Sequence, residues 1–281
     1  MLLIKRIGFR AVARFVPNRW LWEHYAPFVH VLRESYNYNE AVNKLLDYLK
    51  PSHSDRVLDV GCGDGYSLEK YINDYKMKVG VDFSSRMLKR AKSRLDSNAK
   101  MGSDTKMKSD IGLVNADLNH NLPFCSSYFT KVYSVLVLGY LQKRRNFITE
   151  IYRVSDHGAR VGVITPVKNA RFLSVFINEI RRRRRDNTFI KELLTSKGAG
   201  RVLVGLSALI FGKLAEIKNL LGEFHFYTEK TIREDFEKAG FINVRTELTY
   251  GGSAILLLAE KRTKDITSIN SVMSEVLVRL Q

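Results

Sequence analysis

The stretch VLDVGCGDG, residues 57–65, decides how the rest of the chain is read. An apolar run of strand length carries the acid Asp59 and then meets glycine at alternate positions, Gly61, Gly63 and Gly65, ahead of a helical segment. A tight strand-to-helix turn needs backbone angles that glycine adopts without strain, and the missing side chains let a ligand lie against the main chain. Glycine-rich turns after a first strand serve several ligand families, so the wider context has to choose. A dinucleotide-binding GxGxxG would need glycine at position 66, which is Tyr66, and a nucleotide P-loop would need Gly-Lys-Ser or Gly-Lys-Thr, which is absent.

Working outward, β-branched runs alternate with longer amphipathic ones, which predicts an α/β fold around a mostly parallel sheet. Strands are expected at 56–60, 78–82, 111–115, 131–137 and 159–165, with helices between them. A helix over Thr228–Ala239, closed by Gly240, precedes two apolar runs, Phe241–Leu248 and Ser253–Glu260. The short link from Thr249 to Gly252 suits an antiparallel hairpin. The polar stretch Ser97–Asp110 reads as a surface loop, and residues 265–281 carry apolar positions at helical spacing.

The second strand ends in VGVDFS, residues 79–84, placing Asp82 17 residues beyond Gly65. An acid there can accept hydrogen bonds from both hydroxyls of a ribose. The third strand runs into NADLNHNLPF, residues 115–124. With VYSVLVLGYL at 132–141 and HGARVGVITP at 157–166, these segments resemble the ordered motifs of class I S-adenosylmethionine-dependent methyltransferases. The resemblance runs from about Asn39 to Arg262, apart from an insertion after Pro166.

That resemblance implies a Rossmann-like α/β fold with seven strands, the last antiparallel, helices on both faces, and S-adenosyl-L-methionine as cofactor. It implies that Asp59, Gly61 and Gly63 lie against the methionine part, that Asp82 holds the ribose, that Ala116 and Asp117 face the adenine, and that Ser134 lines the methionine side. His225 and Tyr227 precede the last helix, where the family often presents residues to the active site, so both are candidate catalytic residues beside an equally plain packing role. Cys62 reads as a space-filler, because no basic neighbour in sequence would generate its thiolate. Methyl transfer demands little acid–base machinery, since the sulfonium already activates the methyl group and alignment does most of the work. The absence of Asn-Pro-Pro-Tyr at residues 134–137 disfavours methylation of an adenine amine.

Composition and charge bound the rest. With 45% hydrophobic and 27% charged residues the chain reads as a folded protein, and two cysteines without a CxxC pair point to a reducing compartment and give no metal site. The N-terminal residues mix basic with apolar positions and do not resemble a signal peptide, and the longest apolar run, Val202–Gly212, falls short of the roughly 20 residues a transmembrane helix needs. The expected location is cytoplasmic, with a peripheral contact on the inner face of a membrane.

The net charge is +17, of which residues 1–35 and 167–222 together carry +12. Arg6, Arg10 and Arg14 lie opposite Leu3, Ile4, Ile7, Ala11 and Phe15, Trp20 and Trp22 follow, and Arg181–Arg185 sit beside a second apolar segment. Basic amphipathic helices with interfacial aromatics bind anionic membrane surfaces. The expected organisation is therefore an N-terminal helical extension at 1–38, a methyltransferase domain at 39–262 with a basic helical insertion at about 167–222, and a C-terminal helix at 263–281. The expected acceptor is a lipid or an isoprenoid or quinone-like molecule taken at the membrane. A soluble small-molecule acceptor under a helical lid, an RNA acceptor, and a non-catalytic adaptor are the competing readings, with nucleic acid disfavoured because no aromatic–basic interleaving or appended RNA module is present.

Overall fold

In the computed structural model, the residues described are 17–25, 35–50, 52–70, 77–101, 110–171, 177, 210 and 212–264. The amphipathic segment 1–16, the arginine run 181–185 and the C-terminal helix expected over 265–281 lie outside the described residues. In chain order the elements are α1 (Asn18–Tyr25), α2 (Tyr36–Leu49), β1 (Arg56–Val60), α3 (Tyr66–Lys70), β2 (Met77–Asp82), α4 (Ser85–Met101), β3 (Asp110–Asn115) and β4 (Phe129–Val135). A single 3₁₀ turn, Leu138–Tyr140, leads to α5 (Arg144–Val154), β5 (Ser155–Pro166), a helical stretch at 212–220, α6 (Glu229–Lys238), β6 (Phe241–Thr249) and β7 (Ala254–Lys261).

The strands form one seven-stranded sheet in the order β3-β2-β1-β4-β5-β7-β6. Neighbours among the first five strands pair in parallel, and β7 runs antiparallel to both β5 and β6. The resemblance implied this arrangement, including the reversed last strand.

Alternation along the central strands explains the layering. Leu58 and Val60 of β1 join Val81, Val132, Val161 and Val163 in a core closed by Phe147 and Ile151 of α5 and Ile232 and Phe236 of α6. Val57 turns the other way, onto Ala41, Val42, Leu45 and Leu49 of α2. Both faces of the sheet are thus covered, as a parallel sheet requires. The α2 layer sits very close: a β-carbon at Gly162 would meet Leu45 Cδ1 at 2.0 Å, so glycine in β5 is what lets the helix settle on the sheet.

Three boundaries depart from the sequence expectation. Helix α4 continues to Met101, taking in the first part of the stretch expected to be a loop, because no breaker occurs before Gly102 and the polar residues suit a solvated helix face. Strand β4 ends at Val135 rather than at residue 137: Leu136 turns to φ 56°, with its N–H still held by the Ile164 carbonyl at 2.7 Å. Strand β5 begins at Ser155, earlier than expected, directly after α5.

Candidate functional site

The site is built where the carboxyl ends of β1, β2, β3 and β4 meet, the position at which open α/β sheets bind ligands. At the end of β1 the chain turns through Gly61, Gly63 and Gly65, all at positive φ (85°, 55° and 75°). Backbone hydrogen bonds sew this turn to β2: the N–H groups of Gly61 and Cys62 both donate to the Val81 carbonyl, at 2.7 and 3.1 Å. The two outer glycines are crowded. A β-carbon at Gly61 would meet Val137 Cγ2 at 2.3 Å, and one at Gly65 would meet Ala91 Cβ at 3.0 Å. At Gly63 nothing lies within 4 Å, so the middle of the turn faces open space against which a ligand can rest.

Asp82 stands at the tip of β2 and organises this space. Its Oδ2 accepts the Gly63 N–H at 3.0 Å and its Oδ1 accepts the Ser84 N–H at 2.9 Å, so the second-strand acid and the glycine turn are locked together. Burial raises its pKa, and the N–H donors of Ser84, Gly63 and Phe83 counter that rise. Asn115, which sequence reasoning passed over, donates to the carbonyls of Asp82 and Phe83 at 3.1 and 2.9 Å, and the Ala116 N–H joins it on the Asp82 carbonyl at 3.1 Å. Asp117 follows, its Oδ1 accepting from the backbone and side chain of Asn119 and its Oδ2 3.4 Å from His120.

Asp59 sits lower, 1% exposed, and accepts the Ser67 hydroxyl at 2.6 Å. Burial pushes its pKa up to about 7, against the pull of hydrogen bonds from Ser67 and Tyr133 and with a further push from Asp82. Asp59 is therefore a buried anchor joining β1, α3 and β4, a role that Ser67 and Tyr133 make visible only in three dimensions. Cys62 is buried, and burial with the charges of Asp59 and Asp82 drives its thiol well above the ordinary value, which agrees with a space-filling role. Ser134 is not presented to the open crevice: it is fully buried, and its hydroxyl donates to the Val60 carbonyl at 2.7 Å, tying β4 to β1.

The other side of the crevice is reached through Val137, whose side chain fills the space beside Gly61, and then through the 3₁₀ turn. The Gly139 carbonyl there accepts the His225 N–H at 2.8 Å, which brings the segment before α6 to the end of β4. The His225 Nδ1 is buried without a hydrogen-bond partner among the described residues, and burial and the charge of Arg144 lower its pKa. Tyr227 takes a different path. It is buried in the main core, its hydroxyl lies 3.4 Å from Asp235, and the Arg144 guanidinium stands 5.3 Å from its ring centre. Burial pushes its phenol up to about 12. Its partners lie on α5 and α6, so it packs the core instead of serving the crevice as a catalytic group.

Next to His225 lies an aromatic cluster that the sequence did not reveal. Tyr140 is met edge-on by Trp22 at 4.7 Å, Phe224 at 5.1 Å and Phe226 at 5.6 Å, and Leu21, Ala170 and Ala215 complete the group. Trp22 is thus turned inward on the protein, a correction to its reading as an interfacial residue, while Trp20 is 48% exposed. The reason is geometric: helix α1 carries them on different faces, and only one of those faces meets the insertion.

Comparison with known proteins agrees with this geometry. Residues 58–162 match the family model described as a methyltransferase domain. The matched stretch is similar to a methyltransferase domain, and it holds β1 to β5 up to Gly162 of the seven-stranded sheet. An O-methyltransferase, rstn1, of Aspergillus nomiae is 29% identical over 116 residues, covering 41% of this chain and 48% of that protein. The malonyl-[acyl-carrier protein] O-methyltransferase of Erwinia pyrifoliae is 25% identical over 118 residues, covering 42% of this chain and 40% of that one. The matched stretch thus spans less than half of either relative's length.

Among solved structures, a SAM-dependent methyltransferase of Thermotoga maritima, described as a possible histamine N-methyltransferase, superposes with a TM-score of 0.53 at 17% identity, covering 86% of this chain and 99% of that one. That likeness is one of fold. The open face at Gly63 with Asp82 beside it fits the bulk and the ribose of S-adenosylmethionine, the cofactor that the resemblance implies.

Proposed function

We propose that this protein transfers the methyl group of S-adenosylmethionine to a small acceptor with an apolar body, taken at a membrane surface. What supports the acceptor reading is the aromatic cluster of Trp22, Tyr140, Phe224 and Phe226, which places an apolar wall beside His225 at the mouth of the glycine crevice. The cofactor supplies an already activated methyl group, so the protein's part is alignment and exclusion of water. Gly63 leaves the main chain bare for the ligand, Gly61 makes room for Val137, Asp82 holds the turn in place and Asp59 braces it from beneath. His225, whose Nδ1 has no hydrogen-bond partner among the described residues, is the candidate to accept a proton if the acceptor is a hydroxyl or an amine.

The membrane part of the proposal rests on the basic segments 1–35 and 167–222 and on exposed apolar side chains near them: Trp20, Ile210 and Leu220, the last 72% exposed. Among the described residues no helix is long and apolar enough to cross a membrane, so the contact proposed is peripheral. A soluble acceptor under a lid is the second reading, favoured by the inward packing of Trp22.

Methyl-labelled cofactor incubated with the full chain and host extract, separated into lipid, RNA and soluble fractions, distinguishes the two readings. Label in the lipid fraction is the expected result, label in the soluble fraction transfers the assignment to the second reading, and label in no fraction removes the transferase proposal. Co-sedimentation with anionic vesicles should show a salt-sensitive part that weakens when Arg181–Arg185 become Gln. A protein that stays in the supernatant at low salt refutes the surface contact.

A further inference from the structure

Beside the crevice, on the face of the sheet that carries α5 and α6, lies a second concavity of about 770 Å³. Its walls include Asn119 and His120 from the β3–β4 loop, Lys143, Arg144 and Arg145 at the start of α5, and Asp235 from α6. None of Asp59, Gly61, Gly63 or Asp82 lines it, and it adjoins the crevice only through Asn119 and His120, the partners of Asp117. No lining side chain is apolar, and Asp235 is the single carboxylate among them. Such a wall offers nothing to an acyl tail or an aromatic ring.

The charges are concentrated and largely uncommitted. Asp235 lies beside the Tyr227 hydroxyl, over whose ring Arg144 stands, so one cation and the one carboxylate share a neighbourhood. The neighbouring Asp117 carboxylate is engaged by Asn119 and His120. Lys143 and Arg145 are exposed and have no ion pair with any described residue.

The walls are also fixed before any ligand arrives. Asn119 Oδ1 accepts the N–H groups of Gln142 and Lys143 at 3.0 and 3.1 Å, Glu150 accepts the Leu122 N–H at 2.6 Å, and Arg153 donates to the carbonyls of Leu122 and Phe124 at 2.9 and 2.8 Å. Loop and helix are held as one unit, so ordering them costs a ligand little. A concave, pre-ordered wall with two uncompensated cations focuses its field on an anion far better than the same charges on a convex surface.

We propose that this cavity binds a phosphate or diphosphate group. A multiply charged oxyanion matches several separated donors, and it can belong to a soluble phosphoester or to a lipid headgroup. The site's free cations, Lys143 and Arg145, are not among the crevice residues, so it is tested separately from the methyl-transfer reading, although its Asn119–His120 wall adjoins Asp117.

The test titrates the full chain with inorganic pyrophosphate and with vesicles of phosphatidylcholine containing phosphatidylglycerol, comparing wild type with the double variant Lys143→Gln/Arg145→Gln and with the control Lys89→Gln/Lys92→Gln on α4. S-adenosylhomocysteine affinity is measured on the same samples. Wild-type binding of either probe that weakens about tenfold or more in the first variant and not in the control, with S-adenosylhomocysteine affinity unchanged, supports the site. Pyrophosphate as the responding probe makes the source a soluble phosphoester, and vesicles make it a headgroup. Equal responses from wild type and the Lys143/Arg145 variant towards both probes, or no binding of either by the wild type, overturns the proposal. Loss of S-adenosylhomocysteine binding by the wild type would instead count against the cofactor assignment and leave this one to be judged on its own probes.

Discussion

The two sides of the crevice are made in different ways. The cofactor side is assembled from short, local pieces: a glycine turn, the strand-end acid Asp82 and the Asn115–Asp117 corner, each joined to the next by backbone hydrogen bonds. The wall proposed for the acceptor is assembled from four stretches far apart in the chain, with Leu21 and Trp22, Tyr140, Ala170, and Ala215, Phe224 and Phe226 meeting in one group. A site for an invariant ligand can be fixed by backbone geometry, whereas a site that defines an acceptor is shaped by side chains that packing brings together.

That contrast breaks most sharply at Gly63. Valine there has room for its β-carbon yet points into the open space and strains a φ of 55°, so Gly63→Val should stay folded while S-adenosylmethionine affinity falls about a hundredfold. Calorimetric titration beside a thermal melt measures both, and unchanged affinity would remove the crevice as the cofactor site.

Near the aromatic cluster, the loop carrying His225 is held by an ion pair between buried Lys218 and half-buried Glu223. Lys218, fully buried, meets Glu223 at 2.5 Å and stands 5.8 Å from the Phe224 ring centre. Glu223→Ala leaves that cation unpaired and should cost about 2–3 kcal/mol, while Lys218→Met, which removes the charge and keeps the volume, should cost less than about 1.5 kcal/mol. Urea denaturation distinguishes them, and equal losses would mean that the pair contributes through packing alone.

Trp22→Ala should lower acceptor turnover about tenfold by loosening the wall against Tyr140, with cofactor affinity unchanged. A parallel fall in cofactor affinity would show that the two sides are not separable.

A further expected effect is a slope of stability with pH. Asp59 moves from an ordinary value of 3.8 to about 7 on folding, so its neutral form is the one the fold prefers. The stability it contributes is present below about pH 4 and is lost as pH rises through about 7. Asp59→Asn should therefore flatten the decline in stability between pH 4 and 8 seen by denaturant titration. An unchanged slope would place the titrating group elsewhere.

Reading the sequence located the glycine turn, Asp82, the parallel core strands and the hairpin because each depends on neighbours within a few residues: turn sterics, alternation and strand-end chemistry are local. It also placed His225 beside the site, through a resemblance rather than through spacing. It could not separate His225 from Tyr227: two residues apart, they share a face in an extended chain, and only the packing of α5 and α6 decides that Tyr227 enters the core. Nor could it tell that Ser134 would be consumed by the Val60 carbonyl, that Trp22 would turn inward while Trp20 faces out, or that Lys143 and Arg145 would face the Asn119–His120 loop across a cavity. What the sequence by itself determined is the fold and the cofactor turn, whose information is carried by consecutive residues. The tertiary structure alone decided the acceptor wall and the second cavity, because long-range packing, not periodicity, sets which distant side chains share a surface.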